Sequence, residues 1–128
     1  MSHSITELIR YMDRGKMSKR VTEKEWDYQV LPGILTEIAK KYDLLHTVDL
    51  KNPVNLDRDL ADQFFKAGWE AALRLGIYNT DTETVVHVTE EELAASVDAA
   101  PSSLTLGQGQ DQVTICSRKP EDGVAPAF

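Results

Sequence analysis

The apolar residues of this chain recur at helical spacing in four stretches, and two further places read as paired strands. Ile5, Leu8, Ile9 and Met12 form one stripe, opened by the capping box Ser4-x-x-Glu7, and Gly15 offers a left-handed stop. A second box, Thr22-x-x-Glu25, precedes Trp26, Val30, Ile34, Leu35, Ile38, Ala39 and Tyr42. Pro32 inside that run removes an amide and predicts a kink or a restart. Residues 43 to 57 keep no period, contain Asn52-Pro53 and read as a loop. The strongest pattern spans Asp57 to Leu75, with Leu60, Phe64, Ala67, Ala71 and Leu75 as its buried stripe and Gly76 as its stop. Gly68 lies mid-helix, where it costs about 1 kcal/mol relative to alanine, and close approach of a neighbouring backbone is the expected reason.

Beyond Gly76 the texture changes. Ile77-Tyr78, a polar turn and Thr84 to Val88 predict strand, turn, strand. The box Thr89-x-x-Glu92 opens a helix that ends before Pro101. Leu104 to Leu106 and Val113 to Cys116, flanking Gly107 to Asp111, predict a second strand pair. The fold class is therefore α+β, with three to four helices and two short antiparallel strand pairs. One domain or segment is expected over residues 1–118, and a linker-like tail over 119–128.

With 128 residues, the chain suffices for one domain that buries roughly two-thirds of its unfolded surface. A formal net charge of −7 repels phosphate backbones and argues against nucleic-acid binding. Arg10, Arg14, Lys16, Lys19 and Arg20 cluster near the start, where a solvated helix end accounts for them. No apolar run approaches the roughly 20 residues that span a bilayer. The single Cys116 and the lack of a secretory-type leader make a cytoplasmic location the default expectation.

Candidate chemistry is sparse. Gly107-x-Gly109 follows a strand, but it has no third glycine and no Lys-Ser/Thr, so a hairpin turn is expected there and not a phosphate cradle. His3, His46, His87 and Cys116 lack metal-ligand spacing. His87 is expected at a buried strand position, and Cys116 in a core-like one. Glu90, Glu91 and Glu92 complement the dipole of their helix. Trp26, Trp69, Phe64 and Phe65 read as core or interface residues before any ligand pocket. No catalytic, cofactor-binding or metal residue is assigned.

The order and spacing of several strings carry a resemblance. They are Phe65 to Glu70, Gly76 to Thr82, Val88 to Leu93 and Leu106 to Asp111, with Thr22 to Asp27 and Lys40 to Leu44 fitting more loosely. From about Val21 to Pro120 the chain resembles the N-terminal region of the monomethylamine methyltransferases. That resemblance implies a segment preceding or packing on a (β/α)8 barrel, which transfers a methyl group from methylamine to the cobalt of a corrinoid on a partner protein. The amine-binding pyrrolysine of such enzymes lies in the barrel, and none of their active-site positions falls in this stretch. The resemblance also implies methylamine metabolism in methanogenesis, no cofactor in this chain, the rest of the barrel and the corrinoid protein as partners, and a possible homo-oligomer. The other class of function is a free-standing acidic interaction module without catalytic activity. If the chain is a segment of an enzyme, Trp26, Tyr42, Trp69 and the tail residues Val124, Ala125 and Phe128 are expected to lack partners within it.

Overall fold

The computed structural model describes residues 5–123. The capping serine Ser4, His3 and the tail residues Val124, Ala125 and Phe128 lie outside the described residues. Helix α1 spans Ile5–Lys16. Helix α2, Glu23–Glu25, runs through a π turn at Trp26–Val30 into α3, Leu31–Lys41. Helix α4 spans Arg58–Leu75 and α5 spans Glu90–Ala99. Strands β1, Ile77–Asn79, and β2, Thr84–Val86, pair antiparallel, as do β3, Ser103–Leu106, and β4, Val113–Cys116. If α2 to α3 is taken as one interrupted helix, the architecture is four helices and two strand pairs, the expected α+β class.

Local chemistry explains most boundaries. Thr22 caps α2 by accepting from the Glu25 amide, and Asp57 caps α4 by accepting from the amides of Asp59 and Leu60. Thr89 and Glu92 form the full reciprocal capping box of α5. Gly76 ends α4 at φ 69°, where a side chain would meet the Val86 carbonyl. The restart expected at Pro32 takes the form of the π turn: the Leu31 amide donates to the Trp26 carbonyl, five residues back.

The core sits between α3 and α4. Ile38, Leu44 and Ala67 are buried together, with Ile34, Tyr42, Leu60 and Ala71 packed around them. A second packed region lies at β1–β2. The Trp26 ring stacks on Tyr78 with centroids 4.9 Å apart, Tyr78 donates its hydroxyl to the Val21 carbonyl at 2.8 Å, and Val85 is buried beside them. Arg20 bridges Thr84 in antiparallel fashion, so the link after α1 adds a short third lane to this pair.

Several expectations are corrected. Gly15 does not stop α1; it lies inside the helix and is buried against β2, where a Cβ would come within 3.0 Å of Val86. Smallness for close packing is its role. Gly68 is the reverse case, for among the described residues nothing lies within 4 Å of where its Cβ would stand. Phe64, expected in the buried stripe, is 48% exposed, because the α3 contact surface turns along Leu60, Ala67 and Ala71 and leaves Phe64 beside it. Trp26 is 9% exposed, covered by Tyr78, and so does not lack a partner. His87 and Cys116, expected buried, are both exposed: His87 lies just past the end of β2, and Cys116 ends β4 on the hairpin's polar face.

Candidate functional site

The residues singled out for chemistry do not converge. Among the described residues, no group of three or more His, Cys, Asp or Glu is placed to hold a metal ion. Gly107 and Gly109, at φ 83° and 60°, form the turn between β3 and β4, as the incomplete glycine pattern predicts. His46 sits in the loop after α3, also at positive φ.

One polar cluster that sequence spacing could not reveal joins α1 to α5. Arg14 donates from both terminal nitrogens to the Glu92 carboxylate, at 2.8 and 2.9 Å, and also to the His87 carbonyl at 2.8 Å. Arg10 adds a longer bond of 3.1 Å to the same carboxylate, and both guanidinium groups lie near the Tyr11 ring. Glu92 therefore caps its own helix and pairs with a residue 78 positions away. Hydrogen bonding from Arg14, then from the Thr89 amide, pulls its pKa down to about 2. Four members of the basic cluster near the start thus pair with acidic residues, for Arg20 also pairs with Glu83 and Lys16 with Asp13. A second network holds α3 to α4: Lys41 and the Tyr42 hydroxyl both donate to Glu70, and Arg74 donates to Glu37. The Lys41 and Tyr42 hydrogen bonds lower the Glu70 pKa, and the bond to Glu70 raises that of Tyr42. All these groups are committed to one another. They make a scaffold, and none stands as a free base beside a nucleophile.

What the surface does offer is apolar. Ile5, Leu8, Ile9 and Met12 are all more than half exposed, because α1 docks through Tyr11, Arg14 and Gly15 and turns its apolar stripe outward. The loop after α3 presents Val48, Leu50, Val54 and Leu56 to solvent, and with Leu60 and Phe64 it shapes a shallow cleft of about 790 Å³. On α4, Phe65 tilts against the half-buried Trp69, and the two line a shallow groove with Tyr42 and Leu73. Leu104 and Leu106 on β3 are exposed as well. Single exposed leucines are ordinary; here exposed apolar side chains recur along a helix, a loop and a hairpin.

Fold and surface together define a small α+β unit whose exposed apolar stripes lie on α1, on the loop after α3 and on the β3–β4 pair. The family model for the monomethylamine methyltransferase MtmB matches residues 6–128, and the chain belongs to that family. It is 35% identical to monomethylamine methyltransferase MtmB1 of Methanosarcina acetivorans, over 91% of this chain and 25% of that protein. Against MtmB of Methanosarcina mazei the identity is 34% over the same shares. The crystal structure of Methanosarcina barkeri MtmB superposes with a TM-score of 0.73 at 32% identity, covering 86% of this chain and 23% of that one. A crystal structure of the hydroxylamine complex of MtmB matches equally well. The chain thus spans about a quarter of the length of the curated relatives it matches.

Proposed function

We propose that this chain is the N-terminal accessory segment of a monomethylamine methyltransferase. The catalytic work belongs to a (β/α)8 body, which moves the methyl group of monomethylamine to the cobalt of a corrinoid held by a partner protein. The segment supplies packing surface to that body and contributes no residue to the methyl transfer. One observation carries this reading: a chain covering a quarter of its relatives' length leaves apolar stripes uncovered on α1, on the loop after α3 and on the β3–β4 pair. A quarter of a larger core, cut free of the rest, leaves such faces behind. The paired Arg14, Glu92, Lys41 and Glu70 fit a structural role, since each charge is satisfied within the segment.

The test is a comparison of two preparations. The 128-residue chain, incubated with monomethylamine and a reduced corrinoid protein, is expected to leave the cobalt spectrum unchanged. A longer polypeptide carrying this segment together with the body is expected to give methyl-cobalt. Methylation by the short chain alone, or none by the longer polypeptide, overturns the reading.

A further inference from the structure

Among the described residues, the side-chain hydrogen bonds that reach α5 from other elements all end on Glu92, and all come from α1. The Glu92 carboxylate is fully subscribed. Oε1 accepts from Arg14 at 2.9 Å and Arg10 at 3.1 Å, while Oε2 accepts from Arg14 at 2.8 Å and the Thr89 amide at 2.9 Å. An ionised carboxylate has acceptor room for about four donors, so no lone pair is left to water. Oε2 serves the cap of α5 and the anchor of α1 at once, and cannot swing toward one without leaving the other. Arg14 closes the ring from its own side, because Nη1 also donates to the His87 carbonyl at 2.8 Å. The guanidinium thereby holds both the chain leading into α5 and the first turn of that helix. Gly15, the next residue of α1, lies against Val86 at the end of β2. Both side chains of the fork are partly sheltered, which favours a two-pronged, charge-assisted pair over an exposed one.

We infer that Glu92 is a reciprocal clasp: the seating of α1 and the ordering of the start of α5 are one event. The two helices then tighten and loosen together, while the α3–α4 core takes no part. That core is closed by Ile38, Leu44 and Ala67 and braced by Lys41–Glu70 and Arg74–Glu37, none of which belongs to the clasp. Coupling between two sites acts equally in both directions. Arg14 is thus a positioning residue for α5. Thr89, whose hydroxyl bonds only within its own cap, becomes in turn a determinant of how firmly α1 is seated. If the two sets of bonds were independent, each would stabilise its own helix alone.

Amide exchange in the 128-residue chain, read residue by residue by NMR at neutral pH, separates the two cases. Thr89→Ala is expected to lower protection at residues 93–95 of α5 by about threefold or more, and to do much the same at residues 12–16 of α1. Arg14→Gln is expected to give the same pair of losses. The double variant should lose little beyond either single one, since each already opens the clasp. Arg14→Lys keeps the charge without the fork and is expected to fall between wild type and Arg14→Gln. In all four variants the α3 and α4 amides are expected to keep wild-type protection. Loosening of α5 by Thr89→Ala with α1 untouched overturns the inference, as do fully additive losses in the double variant. An equal fall in α3 and α4 overturns it as well, because the clasp would then be no unit of its own.

Discussion

The α3–α4 pair and the β3–β4 hairpin are both amphipathic, yet they differ in what covers their apolar sides. Between the helices, Ile38 is 3% exposed, Ala67 5% and Leu44 9%, and the Lys41–Glu70 and Arg74–Glu37 bonds brace the rim. In the hairpin, Leu104 and Leu106 stay about half exposed and the strands bond to each other. The first region carries its partner within the segment; the second leaves its apolar side uncovered among the described residues. Helix α1 lies between the two cases, anchored by ion pairs and a glycine contact on one side and bare on its apolar side. Good local patterning does not reveal which apolar face finds a partner inside the same stretch of chain.

The largest effect that sharpens this contrast is expected from Ile38→Ala. Its side chain is enclosed by Leu44, Ala67 and their neighbours, so the substitution removes transfer energy and leaves a cavity. The expected loss is about 2–5 kcal/mol, enough to unfold much of a marginal segment. Urea denaturation of the 128-residue chain reads it directly. A loss below about 1 kcal/mol would mean that the α3–α4 contact is no better buried than the hairpin, and the comparison collapses.

A smaller effect tests how α1 is held. Glu92 has its carboxylate pKa lowered from the ordinary 4.5 to about 2, first by the Arg14 hydrogen bond. A carboxylate with a depressed folded pKa stabilises above its unfolded pKa, and that contribution fades as pH falls from about 4.5 toward 2. The protection of the α1 amides, taken relative to their intrinsic exchange rate at each pH, is therefore expected to fall across this window in the wild type. In Glu92→Gln the same protection is expected to be lower already at neutral pH and nearly flat between pH 5 and 2. Glu70 and Asp49 also have lowered pKa values, so the readout must be local to α1 and not global stability. An unchanged α1 profile in the variant would show that the Gly15–Val86 contact alone docks the helix.

Sequence was most informative where the determinants are local. The Thr22, Asp57 and Thr89 caps, the Gly76 stop and both strand pairs follow from residues within a few positions of each other. It failed where the determinant is tertiary. Gly15 resembles a helix stop until β2 is seen against it, and Gly68 resembles a packing glycine until the space beside it proves open among the described residues. Arg14 and Glu92 are 78 residues apart, and nothing in their spacing announces the pair. At the candidate site, composition and spacing gave apolar stripes without saying which were covered: Trp26 found Tyr78, whereas the α1 stripe found nothing among the described residues. Cys116 falls on the polar face of its strand, and His87 lies just past the end of β2, because these two-stranded pairs are too short to enclose either side chain.

The smallest expected effect belongs to Phe64, and it divides the comparison most finely. Helical periodicity sets Phe64 in the same stripe as Leu60, Ala67 and Ala71, which would make Phe64→Ala cost about 3–5 kcal/mol in a filled core. The side chain is instead 48% exposed, lining the cleft formed by residues 47–57, and little of it touches the α3 contact. In the 128-residue chain the substitution is therefore expected to cost less than about 1 kcal/mol, comparable to a surface change. If the cleft is covered by the body in the longer polypeptide, the same substitution there is expected to cost about 2 kcal/mol or more, as the ring becomes enclosed. Thermal or urea denaturation of both forms gives the two numbers. A large loss in the short chain would place Phe64 with the α3–α4 core. A small loss in both would leave the face of α4 that bears Phe64 open to solvent even in the whole protein.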